Sequence, residues 1–133
     1  NLYIIRSQAF NNLLDEIRNK HVQTSEFRKK SKRLIRILLE EALALEYTTD
    51  CTKETPCGFY DCKVNPHSEK EYIAVSILRS GDAIMDELLN IMPDVKIGKI
   101  LVQRNENSEE KEALYFFDKL PSDIVHTKAL VLD

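Results

Sequence analysis

Two arginines and an aspartate stand where apolar runs end, and that placement defines the chemistry open to this chain. Ile73 to Leu78 runs into Arg79-Ser80-Gly81, Ile97 to Val102 leads to Gln103-Arg104-Asn105-Glu106, and Ala129-Leu130-Val131-Leu132 stops at Asp133. A guanidinium keeps its charge and offers a fork of donors that fits phosphate oxygens. A carboxylate at a strand end suits hydroxyls or a hard metal ion. Short apolar runs of this kind read as buried strands, and open α/β sheets collect ligands at the carboxyl ends of such strands. The pattern predicts an anionic ligand gripped by Arg79 and Arg104. The alternative is that both arginines pair with surface carboxylates, since Glu106, Glu109 and Glu110 are near in sequence.

Other chemistries find less support. The chain has three glycines, Gly58, Gly81 and Gly98, and no two are close enough to form a backbone nest for phosphate. There is no Walker loop, no dinucleotide loop and no GxSxG elbow beside Ser80. Gly81 does follow Arg79-Ser80 at a strand-to-helix junction, where a helix amino terminus adds partial positive charge. His21, His67 and His126 fall in predicted loops and read as surface residues. Cys51, Cys57 and Cys62 lack a CxxC pair and read as reduced thiols; a metal site joining them to His67 is conceivable, but the spacings miss the close ligand pairs zinc uses.

The elements that must position these residues follow from periodicity. Phe10, Leu13, Leu14 and Ile17 have helical spacing, and after His21-Val22-Gln23 a second helix opens, so the chain begins as a helical hairpin. In the second helix Phe27, Leu34, Leu38, Ala42 and Leu45 form a stripe widened by Ile35 and Leu39, with Thr24 as the expected cap. Its opposite side carries Arg28, Lys29, Lys30, Lys32, Arg33 and Arg36, which reads as a solvated face or as a contact for an effector phosphate or a subunit. Between Tyr47 and Lys70 the periodicity fails around turn residues, predicting short strands in a small flap. Strand, helix, strand then follow over Ile73 to Val102, the helix ending before Pro93. A polar loop precedes a strand from Ala113 to Phe117, and Lys128 to Leu132 is the last strand.

With 133 residues, 43% of them hydrophobic, residues 1–133 are expected to form one α/β domain. A formal charge of -3 supplies no general field for nucleic acid or an anionic membrane, so neither is an expected partner. No apolar run approaches the about 18 residues of a spanning helix, and the start lacks a basic-then-apolar leader. A soluble, cytoplasmic protein is the expectation.

Taken together and in order, Val75 to Gly81, Ile97 to Glu106, Tyr115 to Pro121 and Ala129 to Asp133 resemble uracil phosphoribosyltransferase, and Ile17 to Lys20 with Arg33 to Leu43 resembles the amino-terminal helices of its eukaryotic and protozoan branch. The resemblance implies a Rossmann-like type I phosphoribosyltransferase fold, incomplete, with the helical hairpin and a small β flap or arm. It implies transfer of phosphoribosyl from phosphoribosyl pyrophosphate to uracil, giving uridine monophosphate and pyrophosphate in pyrimidine salvage. Arg79 and Arg104 would grip the pyrophosphate with magnesium ion (Mg2+), and Asp133 would begin the Asp-Pro-Met-x-Ala-Thr-Gly-Gly motif beside the ribose. Tyr115 to Pro121 would belong to an arm joining a homodimer or homotetramer, and GTP is a possible activator. The family's phosphate loop and uracil-reading segment are not in these residues, so the chain alone is expected to be an inactive amino-terminal part. The proline usual before the arm strand is missing. The alternative is a non-catalytic relative serving nucleotide binding or assembly.

Overall fold

A serine placed ahead of an apolar repeat opens the first helix. In the computed structural model, which describes residues 2–133, α1 (Gln8–Ile17) starts at the N-cap Ser7, whose Oγ accepts from the Phe10 amide at 3.4 Å. It packs against α2 (Thr24–Leu43), and Glu16 of α1 meets Lys30 of α2 at 2.9 Å. Thr24 is not the cap that its type suggests. It is already helical, and the extended Gln23 holds the cap position with no side-chain hydrogen bond, its carbonyl accepting from Phe27 at 2.8 Å. Of the expected α2 stripe, Leu39 is buried while Phe27 and Leu38 are exposed, and Leu45, expected to continue the stripe, lies beyond the helix end at Leu43 and is exposed. Part of the basic face is tied down within the helices, Lys30 by Glu16 and Glu26 and Arg36 by Glu40.

The irregular stretch that follows is a two-stranded antiparallel hairpin, β1 (Thr49–Thr55) and β2 (Gly58–Val64), with Pro56-Cys57 between them. Gly58 adopts a φ of 120°, which only glycine takes without strain, and this lets a two-residue connection reverse the chain. These elements form one compact unit, reaching to His67, and Ser68–Asp133 form a second.

The second unit is built on one strand. In β3 (Tyr72–Leu78) five successive residues, Tyr72 to Ser76, are buried, the burial of a central parallel strand covered on both faces. The chain crosses over through α3 (Ser80–Ile91), which buries Met85 and Leu88, to β4 (Lys96–Arg104), parallel to β3. β5 (Ala113–Lys119) returns antiparallel along β4, with a bulge that leaves Phe116 between the partners of Leu101 and Val102. β6 (Lys128–Leu132) then joins the far side of β3 in parallel, giving the order β5-β4-β3-β6. His126, expected in a loop, closes a short 3-10 turn, Ile124–His126. Among the described residues no helix is long and apolar enough to cross a membrane.

Candidate functional site

The strand order makes β4, β3 and β6 adjacent and parallel, so their carboxyl ends form one edge. The chain steps from β3 to β4 on one side and later to β6 on the other. A sheet that reverses direction in this way opens its ligand crevice at the reversal. Arg79 follows β3, Arg104 ends β4 and Asp133 follows β6.

Gly81 brings the first turn of α3 onto this edge. A Cβ at this position would stand 2.2 Å from the Leu132 carbonyl oxygen and 2.8 Å from Ser76 Oγ, so no larger residue allows the helix to approach β6 so closely. The approach places Ser80 Oγ within 2.7 Å of Asp133 Oδ1, to which it donates. Arg79 occupies the N-cap of α3 in a helical conformation and adds no side-chain cap, leaving the guanidinium uncommitted to the helix.

Arg79 and Arg104 line the same cleft, of about 610 Å³, together with Ser80, Gln103, Glu106 and Asn107. Both are exposed. Among the described residues neither guanidinium is held in an ion pair, so the surface-pairing alternative, with Glu106, Glu109 or Glu110, does not occur. Asp133 is not in the wall of this cleft but is held beside it through Ser80.

One network was not foreseen from the residue types. Ser76, fully buried in the middle of β3, donates from Oγ to Asp82 Oδ1 at 2.8 Å. Lys99 Nζ from β4 reaches both oxygens of Asp82, at 3.1 and 3.2 Å. Asp82 is held below its ordinary carboxylate value, first by the Ser76 hydrogen bond and then by Lys99. The available clue was a serine inside an otherwise apolar strand: a hydroxyl buried there needs a partner, and Asp82 lies in the first turn of α3. Among the described residues no group of three or more His, Cys, Asp or Glu side chains is arranged to hold a metal ion, and His67 does not join the cysteines in one.

Comparison with known proteins agrees with this topology. The profile of the family described as uracil phosphoribosyltransferase matches residues 4–133. The uracil phosphoribosyltransferase of Dictyostelium discoideum is 34% identical over 135 residues, covering all of this chain and 60% of that protein. The uracil phosphoribosyltransferase homolog of Gallus gallus is 37% identical over 116 residues, 87% of this chain and 40% of that one. Mouse uridine-cytidine kinase-like 1 is 38% identical over 117 residues, 88% of this chain and 21% of the relative. The chain thus spans from about a fifth to three fifths of the length of these relatives. The solved structure of the AQ2163 protein from Aquifex aeolicus overlays 98% of this chain and 61% of its own with a TM-score of 0.74 at 24% identity, a likeness of fold. The α/β topology is that of a type I phosphoribosyltransferase. A profile that runs from Ile4 to Asp133 over a sheet of this order means that the chain belongs to the uracil phosphoribosyltransferase family.

Proposed function

We propose that this chain is the amino-terminal portion of a uracil phosphoribosyltransferase domain, which transfers phosphoribosyl from phosphoribosyl pyrophosphate to uracil and releases pyrophosphate. The observation that carries the reading is the pair of unpaired arginines in one cleft at adjacent strand ends. As the glycosidic bond breaks, the sugar carbon gains positive charge and the departing pyrophosphate gains negative charge. Cations already fixed at the leaving group lower that barrier without reorganising during the reaction. In this reading Arg79 and Arg104 perform that task, and Asp133, held by Ser80, would face the ribose hydroxyls.

Mg2+ suits the same place. It binds through one or two carboxylates together with substrate phosphate oxygens rather than through a full protein cage, and Asp133 supplies such a carboxylate. When bound, the ion would share the charge of the pyrophosphate. Contacts to the 5′-phosphate and to uracil are assigned, in this proposal, to family segments outside these residues. An effector such as GTP would draw on Arg28, Lys29 and Arg33 of α2, which are outside the ion pairs of that face.

The test is uracil-dependent release of pyrophosphate by the full gene product. Arg104→Ala is expected to lower kcat/KM by on the order of 3 kcal/mol, more than a hundredfold, because the contact strengthens as charge develops. Unchanged turnover would remove Arg104 from the site, and no uracil-dependent release from the unaltered protein would overturn the reading.

A further inference from the structure

We propose that Cys51 and Cys62 form a thiol–disulfide exchange site that closes across the hairpin when it meets a small-molecule disulfide. Three cysteines without a CxxC pair give no framework by spacing, but the hairpin register sets Cys51 of β1 directly opposite Cys62 of β2. Their Sγ atoms are 3.3 Å apart. Opposed residues of an antiparallel pair have Cα atoms about 4.5 or 5.5 Å apart, and both spacings fall within the range of about 4.4–6.8 Å that a disulfide bridges. The register therefore sets the two residues at a Cα spacing that a disulfide can span.

The pair is also reachable. Both cysteines are free and half-buried, and they line an open cavity of about 480 Å³ with Asp50, Thr52, Asp61 and Lys63. Cys57, exposed in the turn, has no cysteine opposite it. The Cys51 thiol is held above its ordinary value, chiefly by the hydrogen bond it shares with Cys62, which favours its protonated form at rest.

The exchange balances without another reactant. One protein thiolate attacks a sulfur of the disulfide RSSR, forming a mixed disulfide and expelling RS−, which takes up a proton. The second protein thiolate attacks the protein sulfur of that mixed disulfide and expels the other RS−, also protonated. Two protein thiols are oxidised to one disulfide, and RSSR is reduced to two RSH.

The experiment treats the reduced protein with oxidised glutathione, alkylates the remaining thiols, and reads intact mass and linked peptides. The wild type should lose two hydrogens at Cys51 and Cys62, hold no glutathione on either of them whatever adduct the exposed Cys57 carries, and yield a Cys51–Cys62 linked peptide that dithiothreitol reverses. Cys57→Ser should close equally well, while Cys51→Ser and Cys62→Ser should each stop at a stable glutathione adduct on the remaining partner. Persisting thiols at Cys51 and Cys62, a bond through Cys57 or between two chains, or an unresolved glutathione adduct on Cys51 or Cys62 of the wild type would overturn the proposal.

Discussion

Asp82 joins three elements through one carboxylate: it accepts from Ser76 of β3 and Lys99 of β4 while standing in the first turn of α3. Its depressed value has a defined consequence for stability. A carboxyl that is more acidic folded than unfolded stabilises the fold above the unfolded value, and loses that contribution as pH falls through the unfolded and then the folded value. The Asp82 contribution should therefore be complete at neutral pH and disappear within and below the ordinary carboxylate range. Asp82→Asn should lower stability at neutral pH and flatten this part of the acid limb, read by urea denaturation at a series of pH values. An unaltered acid limb would mean that Asp82 does not hold the network. Sequence reasoning fixed on the groups that end the strands and passed over Ser76, because a lone hydroxyl in an apolar run reveals its partner only once helix and strand are docked.

At the level of elements, the junction between β3 and α3 is the most constrained point. Alanine is a better helix former than glycine by about 1 kcal/mol, so propensity alone would favour Gly81→Ala. The added methyl would meet the Leu132 carbonyl oxygen, a backbone atom that cannot rotate away. Overpacking costs about 1–3 kcal/mol and should win. Gly81→Ala is thus expected to lower the urea midpoint, and an equal or higher midpoint would show that α3 can move off β6 freely.

Strand ends and helix spans were legible because an apolar run broken by Arg79 or Arg104 has few local alternatives. What stayed hidden needed partners distant in sequence. The α2 stripe was readable as a pattern, yet Phe27 and Leu38 remain exposed and the helix ends before Leu45, since periodicity describes a face and not what covers it. The opposition of Cys51 and Cys62 depended on a turn whose two-residue length sets the register. Ser80 and Asp133 met only because β6 pairs with β3, a neighbour that no local spacing indicates.

For the whole molecule, β5 bears on assembly. Every residue of this edge strand is exposed, including Leu114, Tyr115, Phe116 and Phe117. Exposed apolar side chains clustered on a sheet edge are residue types that an interaction surface uses, and the family resemblance implies an arm over residues 113–121 that joins copies. Tyr115→Lys with Phe117→Lys should reduce the mass measured by light scattering to that of one chain. An unchanged assembly mass would place the contact elsewhere.

The central claim is that Arg79 and Arg104 act together on one diphosphate. It is tested most directly by titration calorimetry of magnesium pyrophosphate into the chain, Arg79→Ala, Arg104→Ala and the double variant. A hydrogen bond to a charged group contributes about 1.5–3 kcal/mol, so each single change should weaken binding by about tenfold or more. The double variant should lose less than the sum, because the two cations share a ligand. Equal affinity in all four proteins, or losses that simply add, would contradict a shared pyrophosphate grip.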